Sequence, residues 1–261
     1  MSNIINICQL YHLGDNIINF IFFNKIKEYI EKNDITINYY CYGKYHKNLI
    51  EFKCSNNINI RELDPNILSE NFGKNVTINN MYHLWQATIN IKPKCKSIEE
   101  ILCTMFNLFL KHHNIPIIVD AFEYQDDDLI HRYSLLEDSY KKVDILLINS
   151  TPLSKQYVYN KCLWDDFIIS LSKKYKVAIT EMVNNSNENI VCLDNFSVKQ
   201  IAAVALGVKI IIAINTGPSI PLYNTDILNN VDVIYLFGGG RRFRTRKIKE
   251  VSNLNELDFL L

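Results

Sequence analysis

The stretch Ser197–Pro218, SVKQIAAVALGVKIIIAINTGP, holds a complete helix, strand and loop. Ser197 and Gln200 have the spacing of a capping box, in which the serine hydroxyl and the third-position side chain satisfy backbone N–H groups that a helix start leaves free. Ile201, Val204 and Ala205 then recur on one helix face. Gly207 stands where a left-handed C-cap belongs. Val208–Ile214 is an unbroken apolar run, the pattern of a strand covered on both faces of a parallel sheet. Asn215-Thr216-Gly217-Pro218 stops it, and Pro218 suits the first turn of a further helix. Helix into buried strand into helix is the alternation of a parallel α/β layer.

The same alternation extends outward from this unit. Asp144–Asn149 reads as a strand, Ser150–Lys155 as its loop, and Trp164, Phe167, Ile168, Leu171 and Tyr175 as one face of a helix. Val177–Thr180 is the next strand. Asp232–Phe237 reads as the last one, stopped by Gly238-Gly239-Gly240 and the basic run Arg241–Lys247. In the first half, Ile4–Gln9 is a strand, Tyr11-His12-Leu13-Gly14-Asp15 a loop, and Ile18, Ile21, Phe22, Ile26, Tyr29 and Ile30 the inner face of one helix, with Lys25, Lys27 and Glu28 outside. Ile35–Tyr42 is a second strand, and the weaker runs Ile58–Ile60 and Val76–Ile78 extend the sheet. Ser197's counterpart here is Ser97, whose box with Glu100 opens a helix to about His113. The polar stretch 125–142 is expected to separate an N-terminal domain (1–130) from a C-terminal one (143–261). The expected class is therefore α/β, two parallel sheets each wrapped by helices.

Composition narrows the function classes. Of 261 residues 48% are hydrophobic and 21% charged, a globular profile, and Lys plus Arg equal Asp plus Glu at 28 each. That balance gives no footprint for nucleic acid or a membrane surface. No apolar run approaches the roughly 18 residues of a membrane span, and no basic segment precedes an apolar stretch at the N-terminus, so a cytoplasmic protein is expected. The seven cysteines form no CxxC pair and read as reduced structural thiols. His112 and His113 diverge by about 100° on a helix and cannot share a metal from one face.

Ligands of parallel sheets bind beyond the carboxyl ends of the strands. Four loops lie there. Asn215, Thr216, Gly217 and Pro218 offer backbone N–H groups, a hydroxyl and a helix start to a phosphate, or form an ordinary tight turn. Gly14 and Asp15, with His12, open the first helix; Asp15 is either a cap or a general base. Lys155 is a diphosphate ligand or a solvated charge. Gly238 and Arg241 begin a loop that binds an anion or forms a basic edge. Asp126-Asp127-Asp128 satisfies the DxD pattern of metal-dependent GT-A transferases, but its place in a linker makes a solvated acidic run the simpler reading.

Together these loops resemble those of the family 9 glycosyltransferases, typified by ADP-heptose:lipopolysaccharide heptosyltransferases. The resemblance is carried by Leu13-Gly14-Asp15-Asn16-Ile17-Ile18, by Leu147–Lys155 followed by Trp164-Asp165-Asp166-Phe167, most specifically by Ser197–Pro218, and by Leu236-Phe237-Gly238. It implies two Rossmann-like domains of GT-B type facing across a cleft. It also implies an inverting transfer in which Asp15 deprotonates an acceptor hydroxyl and Lys155, Thr216, Gly217 and the Arg241 loop meet the leaving-group charge. The expected partners are a nucleotide sugar and a glycan or lipid-linked glycan acceptor, with no metal and no cofactor beyond the donor. The family places a His two residues after the Pro, where this chain has Ile220. The competing class is a catalytically inactive GT-B-like carbohydrate-binding or structural protein.

Overall fold

The structure is a computed structural model and describes residues 3–63, 77–78, 81–88, 97–152, 157–238 and 246–261. The chain divides into two compact units, Met1–Phe122 and Glu123–Leu261.

The first unit runs β1 (Asn3–Gln9), α1 (Leu13–Lys25), α2 (Lys27–Lys32), β2 (Ile35–Cys41), α3 (Gly43–Ile50), β3 (Ile58–Glu62), β4 (Thr77–Ile78), β5 (Met81–His83) and α4 (Ile98–His112). Its sheet has the order β3-β2-β1-β5-β4. The strands β3, β2, β1 and β5 are parallel, but β4 runs antiparallel to β5, so this sheet is not wholly parallel as expected. β4 and β5 lie two residues apart in the chain, too close for the long crossover that a parallel pair needs. The single helix expected over Ile18–Ile30 is broken at Ile26 (φ −113, ψ 10), whose N–H turns back to the Phe23 carbonyl at 3.1 Å. The break keeps Ile26 and Ile30 inward, which is why the apolar periodicity runs through it. Aromatic rings fill the space between α1, α4 and the sheet: Phe22 stacks on Phe106 at 4.8 Å and Phe20 meets Tyr39 edge-on at 4.9 Å. Tyr39 is fully buried, and its hydroxyl donates to Asn16 and accepts from Asn19, both on α1.

The second unit runs α5 (Leu129–Ser134), α6 (Asp138–Lys141), β6 (Ile145–Ile148), α7 (Lys161–Leu171), β7 (Val177–Ile179), β8 (Ile190–Cys192), α8 (Val198–Gly207), β9 (Ile210–Ile214), a 3-10 segment (Gly217–Tyr223), α9 (Thr225–Asn230), β10 (Val233–Phe237), β11 (Ile248–Val251) and a 3-10 segment (Leu254–Leu260). The sheet order is β11-β10-β9-β6-β7-β8, parallel throughout. The strand order reverses between β6 and β9, the Rossmann-like arrangement. Successive residues alternate between two cores. Ile145, Leu147, Ile212, Ile214, Tyr235 and Phe237 pack with α7 and the 254–260 segment. Leu146, Ile148, Ile211, Ala213, Ile234 and Leu236 pack with α5, α8 and α9.

Four expectations are corrected here. Val233–Phe237 is not the last strand, since β11 follows; its Lys249-Glu250 pair breaks the apolar run that marks the other strands, as an edge strand's solvent exposure allows. Gly207 is not a left-handed cap: α8 passes straight into extended Val208 (φ −102, ψ 155), and Gly238 is the one glycine with positive φ among the described residues. Gly207 has another use, because a Cβ there would lie 2.7 Å from the Tyr133 ring of α5, so its absence lets α5 close on α8. The segment opened by Pro218 is a 3-10 helix, with Pro221 inside it, and so lacks a full α-helical dipole. Residues 125–142 are not a solvated tether: they carry α5 and α6 within the second unit. Asp126 forms a buried ion pair with Lys199 of α8 (3.0 Å) and accepts from the Tyr124 hydroxyl (3.0 Å).

Candidate functional site

The strand order of the second sheet reverses between β6 and β9, and the crevice beyond their carboxyl ends is where such sheets take ligands. Each of these strands ends in a buried asparagine. Asn149 follows β6; its Oδ1 accepts from the Thr180 and Glu181 N–H groups at 3.0 and 2.9 Å, and its Nδ2 donates to the Glu181 carbonyl at 2.8 Å. Asn215 follows β9, and its Nδ2 donates to the Gly238 carbonyl at 3.1 Å. Both amides are committed to the outer neighbour, β7 in one case and β10 in the other. They fix the loop ends that flank the crevice.

Within Asn215–Pro218 the groups have separate fates. The Thr216 N–H donates to Ser219 Oγ (3.2 Å), and the Thr216 hydroxyl donates to the Ile214 carbonyl (3.2 Å). Pro218 has no N–H to offer. The Gly217 N–H makes no hydrogen bond among the described residues, which leaves it as the loop's available backbone donor. Gly238, held by Asn215, has φ 67, a conformation that costs a glycine little and other residues more. The structure thus joins Asn215, Thr216, Gly217, Pro218 and Gly238 in one cluster at the carboxyl edge. Lys155 and Arg241 lie outside the described residues. Ile220 is buried at 3% exposure and points into the core, so the position of the expected histidine offers no side chain to a ligand.

In the first unit the order reverses between β1 and β5, and the loop after β1 carries His12, Gly14 and Asp15. His12 is the N-cap of α1, and Asp15 Oδ2 accepts its N–H at 3.2 Å. Asp15 therefore does act as a cap, whatever else it does. Beside this loop, after β5, the His83 ring lies edge-on to Tyr11 at 5.5 Å, and its Nδ1 accepts the Gln86 N–H at 3.0 Å. Burial holds His83 neutral by lowering its pKa from 6.5 to about 4. Burial likewise raises the Cys8 thiol to about 12 and Cys41 and Cys103 to about 11, which makes them inert structural thiols.

No protein-family model matches the sequence, and no curated protein matches it. Solved structures do. Escherichia coli heptosyltransferase WaaC, with ADP-2-deoxy-2-fluoro heptose, is similar over 95% of this chain and 93% of its own, with a TM-score of 0.54 and 9% identity. The family 9 glycosyltransferase of Veillonella parvula gives 0.54 at 9% identity over 99% and 89%. ADP-heptose lps heptosyltransferase II of E. coli gives 0.52 at 9% over 95% and 90%. The chain has the heptosyltransferase fold.

A heptosyltransferase fold consists of two Rossmann-like domains of GT-B type, and both sheets here match that description. Among the described residues no group of His, Cys, Asp and Glu is placed to hold a metal ion, and no helix is long and apolar enough to cross a membrane. Asp126 of the DxD run is turned to Lys199, and neither it nor Asp128 lines the cavity walled by α7 and β11. Sequence reasoning missed Asn149, Thr180 and Glu181. The available signal was a single polar residue closing an all-apolar strand, which Asn149 shares with Asn215.

Proposed function

We propose that this chain is an inverting glycosyltransferase that moves a sugar from a nucleotide-sugar donor to a hydroxyl of a glycan or lipid-linked glycan acceptor, without a divalent ion. The observation that carries the reading is the β6/β9 crevice of a heptosyltransferase fold, edged by an Asn-Thr-Gly-Pro loop whose Gly217 N–H is available. The donor diphosphate binds there, against the Gly217 N–H and the Thr216 hydroxyl once it rotates from Ile214, with Lys155 and Arg241 as cationic ligands. The neighbours solved with ADP or an ADP-heptose analogue make an ADP-type donor the first to test. Asp15 acts as the base. A carboxylate has about four lone-pair sites, so the bond from His12 N–H orients it without consuming its basicity. It takes the proton of the acceptor hydroxyl as that oxygen attacks the anomeric carbon from the face opposite the nucleotide, and the C–O bond to the diphosphate breaks.

A binding protein without turnover is the second reading, favoured by the buried Ile220. Release of nucleoside diphosphate from a panel of nucleotide sugars, with an acceptor panel and with and without EDTA, separates the two. The transferase reading expects EDTA-insensitive turnover that Asp15→Asn lowers by roughly 10²–10⁴-fold with donor affinity nearly unchanged. Asn caps a helix about as well as Asp, so a full-rate Asp15→Asn enzyme would leave Asp15 a cap only. A strict Mn²⁺ or Mg²⁺ requirement would contradict the metal-free mechanism.

A further inference from the structure

The first sheet has its own reversal of strand order, between β1 and β5, and the loops after both strands carry aromatic rings. Tyr11 follows β1, and Trp85 opens a 3-10 turn (Trp85–Thr88) after β5. Their ring centroids lie 6.4 Å apart with the planes at 66°, and His83 meets Tyr11 edge-on from β5. Two rings set at that angle form a corner. Tyr11 is partly exposed, and Trp85 is the partly exposed residue in a run, Met81–Ala87, that is otherwise buried.

Two buried amides at the same edge have unspent hydrogen-bonding capacity. Gln9, the last residue of β1, is 0% exposed, and neither its Oε1 nor its Nε2 has a partner among the described residues. Gln86, next to Trp85, is 5% exposed, and its Nε2 has none. Folded proteins keep few such groups, because a buried donor without an acceptor costs stability that an apolar side chain of similar size does not. The backbone of Gln86 is fixed by the bond from its N–H to His83 Nδ1 at 3.0 Å, so rotation within the side chain is what turns the amide to an incoming group.

An aromatic corner with an amide donor beside it complements a pyranose. The C–H face of the sugar packs on the rings, and the hydroxyls at its rim take the amide hydrogen bond. Burial and then the charge of Asp15 raise the pKa of the Tyr11 hydroxyl, so the carboxylate is near enough to act on this ring. Its negative charge favours a neutral sugar over an anionic nucleotide.

We propose that Tyr11, Trp85 and Gln86 form the acceptor subsite, and that the acceptor presents a neutral pyranose ring stacked on the Tyr11–Trp85 corner. The role as acceptor rests on the transferase reading; the stacking of a pyranose does not.

Saturation-transfer NMR on the full chain tests it, with methyl β-D-galactopyranoside, methyl β-D-glucopyranoside and methyl α-D-mannopyranoside as probes and no nucleotide present. At least one probe should bind, with saturation strongest on its ring C–H protons, and ADP should not displace it. Trp85→Phe, which keeps a ring, should retain binding, whereas Trp85→Leu and Tyr11→Leu should each weaken it by about tenfold. Gln86→Leu should lower sugar affinity while raising the urea midpoint of unfolding, a combination that a purely structural glutamine would not give. Binding of none of the three probes, unchanged binding by both leucine variants of the rings, displacement by ADP, or a Gln86→Leu chain with lower stability and unchanged affinity would each overturn the proposal. Sugar binding that persists while no nucleotide sugar supports turnover counts against the transferase reading alone.

Discussion

Asp15 and His83 stand at the carboxyl edge of the first sheet and illustrate how a side chain's surroundings set its chemistry. Asp15 sits at the third position of α1, accepts the His12 N–H and is partly exposed. His83 is 1% exposed and accepts a backbone N–H through Nδ1, the situation of an imidazole that stays neutral. Its pKa falls from 6.5 to about 4 on folding because burial penalises the cation. Between those values the unfolded chain holds a proton that the folded one does not, so stability decreases as pH falls from 6.5 towards 4 and levels off below. His113, lowered to about 4 by burial and by His112, acts in the same direction. Thermal unfolding followed from pH 7 to pH 4 should show this loss, and His83→Gln, which keeps an acceptor for the Gln86 N–H, should show a shallower one. An identical slope in the variant would mean that His83 is not buried neutral.

The helix α8 shows what could be read from the sequence and what could not. Its capping box is as expected: Gln200 N–H donates to Ser197 Oγ at 3.3 Å, and Ser197 N–H donates to Gln200 Oε1 at 2.8 Å. Capping and apolar periodicity are local, so they survive translation into structure. The roles of Lys199 and Gly207 are not local. Lys199 looks like an outward charge and Asp126 like part of a solvated acidic run; only the packing of α5 on α8 brings them together, at 10% and 5% side-chain exposure. The short strands β5 and β8 were invisible for a related reason, since three residues show no period and a strand this short exists only because a neighbour pairs with it. Lys199→Met should remove the cation while Asp126 stays buried, at a cost of about 3–5 kcal/mol in urea unfolding. A cost below about 1 kcal/mol would match a solvated surface pair and contradict the packing of residues 125–142 on α8.

At the scale of the molecule, each unit has its own sheet with its own reversal of strand order, and each reversal carries one of the loops singled out in the sequence. The loops after β1 and β9 were legible because they interrupt long apolar strands with Gly, Asp, Asn and Pro, residues whose backbone and capping chemistry is local. The bracing of the second crevice by Asn149 and Asn215 was not legible, because their partners Thr180, Glu181 and Gly238 lie on neighbouring strands, remote in sequence. Under the proposed function the donor nucleotide binds at that crevice, and amide chemical-shift mapping during titration with ADP, and then with UDP, GDP and CDP, measures this directly. One nucleoside diphosphate should shift the Gly217, Thr216, Ser150 and Gly238 resonances in a saturable way in the presence of EDTA, while the amides of β1 and β2 stay unmoved. Shifts confined to the first unit, or no saturable shift with any of the four, would contradict the central claim.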